Sequence, residues 1–138
     1  MAPTIRSALV LLGGVIAAVF VVILMDTLVG NIYSLPAGAD ANPESMRQAV
    51  AALPVAAFVS LVTGWVLAAG VGSYLGARLA THTRVIHGMI VALFVLVATV
   101  ANLAKIPHPF WLWPATIILI PAAGWAAAKL VTWQKGAA

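Results

Sequence analysis

Four apolar stretches, over residues 5–25, 53–77, 85–104 and 110–128, dominate this chain, and its charges fall almost wholly between them. Arg6, at the mouth of the first, is the exception. A helix rises ~1.5 Å per residue, so about 20 apolar residues cross the ~30 Å hydrocarbon core of a bilayer. Of 138 residues only seven are Lys or Arg and three Asp or Glu, while 64% are hydrophobic. That leaves too little polar surface to keep four such helices dissolved in water. The pattern predicts an all-α polytopic membrane protein, a four-transmembrane-helix bundle forming a single domain over residues 1–138. Its spans are expected near residues 5–28, 53–77, 85–104 and 110–131, with the lipid bilayer as the first partner.

The remaining composition mainly excludes. With no cysteine, disulfides, thiolate metal sites and thioether-bound haem are ruled out. The formal charge of +4 does not point to nucleic acid, because the basic residues are scattered over loops and tails and form no stripe. They read instead as topology anchors. The first apolar run is too long for a signal-peptide core and is expected to be a retained span. Arg6, Arg78, Arg84, Lys129 and Lys135 fall on one side, and Arg47 and Lys105 on the other. The bias of basic residues toward the cytoplasmic side then puts both termini in the cytoplasm, in a bacterial inner membrane.

Residues 42–45, Asn-Pro-Glu-Ser, form a helix start: Asn42 as cap, Pro43 at the first position, Glu44 at the positive dipole end. This helix is expected to run on into the second span, kinked at Pro54. In that span Gly64, Ala68, Gly72, Gly76 and Ala80 recur every four residues. They make a ridge of small side chains for close helix packing, within the chain or in a homo-oligomer. Pro121 is expected to break the fourth span. A faint echo pairs Pro54 and Gly64-Trp65 with Pro114 and Gly124-Trp125 at equal spacing, the mark of a possible internal repeat.

Polar residues gather at the outer ends of the spans. Asp26 is the acidic residue nearest the hydrocarbon, and intramembrane carboxylates often mark ion or proton paths. Lys105 lies at similar depth and is a candidate partner. Asn31, Tyr33, Asn102, Lys105 and His108 are expected to form an outward-facing polar cluster with Asp26, with Asn102 hydrogen-bonding across helices. The bland alternative is an ordinary polar layer at the interface.

Catalytic and cofactor readings find little. No nucleophile–base set, paired carboxylates or Gly-rich phosphate loop is present. No metal or cofactor is expected: His82 and His87 would diverge on a helix, and His108 falls on the opposite side. Ser60, Thr63 and Ser73 read as hydroxyls bonded back onto their own helices.

Several of these residues carry a resemblance. The chain resembles a group of small uncharacterised bacterial four-span membrane proteins. The shared features are the acidic residue near the end of span one, the loop Pro36-Ala37-Gly38-Ala39-Asp40, the Leu53-Pro54 step and the Ile106-Pro107-His108-Pro109 turn between Asn102 and Trp111. The resemblance implies an architecture and no mechanism. The leading functional expectation is a non-enzymatic accessory or self-associating module with a membrane-protein partner. A small oligomeric transporter or channel is the first alternative, and a binder of lipid or hydrophobic ligands the second.

Overall fold

Long apolar sequence becomes long helix because, without water, a backbone must satisfy its own polar groups. The computed structural model describes residues 3–136. Its helices are α1 (Pro3–Ile32), α2 (Pro43–Ala51), α3 (Val55–Leu79), α4 (Arg84–Lys105) and α5 (Leu112–Gly136). All but the short α2 are long and apolar enough to span a membrane, giving four candidate spans. The chain is a small polytopic membrane protein. One end of the bundle, the terminal end, holds the start of α1, the α3–α4 connection and the end of α5. The other, the α2 end, holds α2 and the α4–α5 connection.

Helix α3 is the centre: it packs on α1, α4 and α5, while α1 and α5 do not meet. Its small-residue face explains how. Gly64, Ala68, Gly72, Gly76 and Ala80 are all buried. A Cβ on Gly72 would stand 2.7 Å from both the Gly14 carbonyl oxygen and the Ala18 Cβ on α1. One on Gly64 would meet Met25 Cβ at 2.8 Å, and one on Gly76 would meet Val91 Cγ2 on α4 at 3.2 Å. Lipid supplies no hydrophobic drive for association, so such backbone approach is where contact energy arises. Helix α1 contributes Val10, Gly14 and Ala18 at intervals of four and turns Ile16, Phe20 and Ile23 outward.

Four sequence-based expectations change. Helix α2 is separate from α3 and not continuous with it through a kink. The proline disfavours helical backbone at Leu53; Ala52 closes α2 and Pro54, extended at ψ 153°, opens α3. Pro121, expected to break the last span, lies within an uninterrupted α5. Ser73 does not bond back onto its own helix: its Oγ donates to the Gly88 carbonyl on α4 at 2.8 Å, where Gly88 brings the two backbones together. Thr63, by contrast, does bond back, to Val59. The fourth concerns the internal echo. Trp65 is buried at 2% exposure and Trp125 is 53% exposed, so the paired tryptophans occupy unlike environments.

Candidate functional site

Helix α2 is amphipathic and lies across one end of the bundle. The Asn42 side chain caps it, its Oδ1 accepting from the Ser45 N–H at 2.8 Å. On its outer face Arg47 grips Glu44 through two hydrogen bonds of 3.0 and 2.8 Å, and Gln48 donates to the same carboxylate. The Arg47 hydrogen bonds, then that of Gln48, hold the Glu44 carboxyl below the usual range. On its inner face Val50 joins the main hydrophobic cluster and Met46 packs against it, as does Leu53 in the link to α3.

Beneath this inner face lies an open groove of about 390 Å³, between α1, α2, α3 and the α4–α5 connection. Leu53, Ala57, Phe58, Leu61 and Ile106 make it largely apolar, and Asp26, Tyr33, Ser34 and His108 supply its polar side chains. Asp26 also lines a second, smaller cavity of about 130 Å³ between α1, α3 and α4, with Trp65, Thr99 and Asn102. The carboxylate thus stands at the boundary between the two. None of the described residues forms a salt bridge or hydrogen bond with it; the one ion pair among them is Arg47–Glu44.

His108 is fixed from three directions. Its ring meets Phe58 and Trp65 edge-on, at centroid separations of 6.3 and 6.4 Å. Its Nδ1 donates to the Ile106 carbonyl at 2.6 Å. A carbonyl only accepts, so Nδ1 carries a proton. Pro107 and Pro109, on either side, hold the backbone extended.

The expected outer cluster therefore divides. Asp26, Tyr33 and His108 share the groove, and Asp26 and Asn102 share the smaller cavity. Asn31 and Lys105 are exposed and line neither. The candidate Asp26–Lys105 pair is not made: both residues are exposed, and Lys105, on the last turn of α4, lines neither of the cavities that Asp26 lines. Asn102 makes no side-chain hydrogen bond across helices among the described residues. The residues that sequence reasoning passed over are the α2 roof, Met46 and Val50, and the walls Phe58, Trp65 and Thr99. The spacing of Met46, Val50 and Leu53 was a signal for that roof. A further correction concerns His82 and His87. His82 precedes α4, so the helical divergence expected of the pair does not apply, and both line one cavity at the terminal end.

No family model, no curated protein and no solved structure matches the chain.

Proposed function

We propose that this protein is a membrane-embedded binding module whose groove beneath α2 takes an amphiphile: an apolar chain bearing a hydrogen-bond donor such as a hydroxyl or ammonium. The observation that carries this reading is the Asp26 carboxylate, unpaired among the described residues, in the wall of a largely apolar groove. A carboxylate in such surroundings gains from any donor brought to it. The groove volume is within the range of small-molecule sites. Tyr33 and His108 line the same groove and add polar groups for the ligand's polar end.

The other readings draw less support. Transport needs a polar route past the middle of the bundle, and there Gly14, Gly72 and Val91 close on one another. Self-association through the α3 ridge loses its argument, since that face is spent on α1 and α4. Binding here requires no catalytic step. In the same reading the membrane is a bacterial inner membrane with both termini cytoplasmic, which the five-to-two distribution of basic residues supports. A reporter active only in the cytoplasm, fused after Ala138, checks the orientation.

The ligand reading is tested with a photoreactive medium-chain alcohol on protein purified in detergent, mapping labelled peptides by mass spectrometry. Labelling concentrated on residues 26–35 and 46–58, and reduced in Asp26→Asn, is expected. Labelling spread evenly over the lipid-facing helices and indifferent to that substitution would sink it.

A further inference from the structure

At the terminal end, away from the groove, the first turns of α1 face the α3–α4 connection across a cavity of about 290 Å³. Arg6 and Ser7 line it from α1; Thr81, His82 and Thr83 come from the connection, and His87 from the first turn of α4. This lining is unlike that of the groove: a guanidinium, two imidazoles and three hydroxyls converge from segments some 75 residues apart in sequence. His87 Nδ1 approaches the Thr83 carbonyl at 3.1 Å, which fixes that ring against the connection.

The charge around the cavity is one-sided. Arg6, Arg78, Arg84, Lys129 and Lys135 all belong to this end, whereas Asp26, Asp40 and Glu44 all belong to the other half of the molecule. Among the described residues no side-chain carboxylate lies at this end. Next to the cavity-lining Thr83, Arg84 has its Nε buried without a hydrogen-bond partner among the described residues. Thr83 does not cap α4 with its side chain, so the positive end of that helix adds to the same potential.

We infer that this cavity binds a phosphate group, and that its source is the headgroup of an anionic phospholipid in the adjacent leaflet. Arg6 supplies the charge and a planar set of donors suited to phosphate oxygens. Ser7 and Thr81 supply hydroxyl donors on either side, and His82 a ring N–H. A spanning helix that begins at Pro3 places Arg6 at headgroup depth. The inference shares with the amphiphile reading only the membrane setting; the two sites lie at opposite ends.

The test uses the full chain in mild detergent and native mass spectrometry, titrating phosphatidylglycerol, phosphatidylcholine and inorganic phosphate separately. Phosphatidylglycerol is expected to bind in preference to phosphatidylcholine. Arg6→Gln should weaken it about fivefold, the effect of removing one basic residue near a charged surface. Arg78→Gln, which removes an exposed cation of the same end outside the cavity, should weaken it less than Arg6→Gln does. Equal losses in the two variants would mean diffuse attraction and overturn the site, as would no loss in either. Inorganic phosphate binding that depends on Arg6, with no preference between the lipids, would keep the phosphate site and assign it to a soluble anion. Should Arg6→Gln fail to accumulate, the Thr81→Val, His82→Gln double variant decides by the same comparison.

Discussion

Ser73 on α3 donates its hydroxyl to the carbonyl oxygen of Gly88 on α4 at 2.8 Å, in the closest part of the interface between these helices. The bond and the glycine depend on one another. A Cβ on Gly88 would stand 3.0 Å from the Ser73 carbonyl oxygen and 2.7 Å from the Ala128 Cβ on α5. Ser73→Ala is expected to cost about 0.6 kcal/mol, the usual worth of an interhelical hydrogen bond in a membrane. Gly88→Ala should cost more, about 1–3 kcal/mol, because it forces the backbones apart. Unfolding in mixed micelles measures both; a Ser73 loss exceeding the Gly88 loss would contradict this account.

Gly72 and Gly70 stand two residues apart on α3 and make an internal control. A methyl group on Gly72 meets the Gly14 carbonyl oxygen and Ala18, whereas one on Gly70 meets nothing within 4 Å. Gly72→Ala should destabilise by about 1–3 kcal/mol. Gly70→Ala should be neutral or stabilising by up to about 1 kcal/mol, since alanine is the better helix former. Thermal aggregation midpoints in one detergent suffice for the comparison.

Helix α2 has a pH dependence of known sign. Hydrogen bonds from Arg47, then Gln48, hold the Glu44 carboxyl below its ordinary value when the helix is formed. The contribution is therefore fully present above the unfolded-state value, about 4.3 for Glu, and is lost as pH falls through the lower, folded value. Backbone NMR shifts of residues 43–51 should show α2 fraying across that acid range, and Glu44→Gln should abolish the dependence.

The ring of His108, packed against both Phe58 and Trp65, ties the α4–α5 connection to α3. His108→Ala should cost about 0.5–1.5 kcal/mol for each edge contact beyond simple burial. In Phe58→Leu the loss from His108→Ala should shrink, which a double-mutant cycle reads directly.

Much of this architecture was legible because lipid imposes two simple requirements, length and lack of charge, and four stretches of sequence satisfy both. The small-residue periodicity of α3 was equally open to reading, since its interval of four matches one helix face. What escaped was decided by local backbone chemistry or by three-dimensional approach. A proline ends one helix at Pro54 and is carried within another at Pro121, and spacing alone does not distinguish them. Ser73 bonds outward because a glycine fifteen positions later happens to face it. The polar cluster split because Asn31, more than a turn beyond Asp26 on α1, and Lys105, on the last turn of α4, line neither cavity. Depth is a one-dimensional property of sequence; facing is not.

The arrangement of side chains by size has a consequence for how this protein tolerates change. In a water-soluble domain, large aliphatic and aromatic residues mark the interior. Here glycine and alanine make the backbone-close contacts of α3 with α1 and α4, beside the buried Phe58 and Trp65, while Phe20 and Ile23 on α1 are 67% and 60% exposed. Much of the bulk on α1 thus faces outward, and the lipid that meets it does not discriminate among apolar shapes. Along α1 and α3 the sequence is free to drift among Val, Ile, Leu and Phe on one side of each helix. On the other side it is restrained by volume, to the scale of a single methyl group at the glycines, and at Ser73 by a hydrogen bond as well.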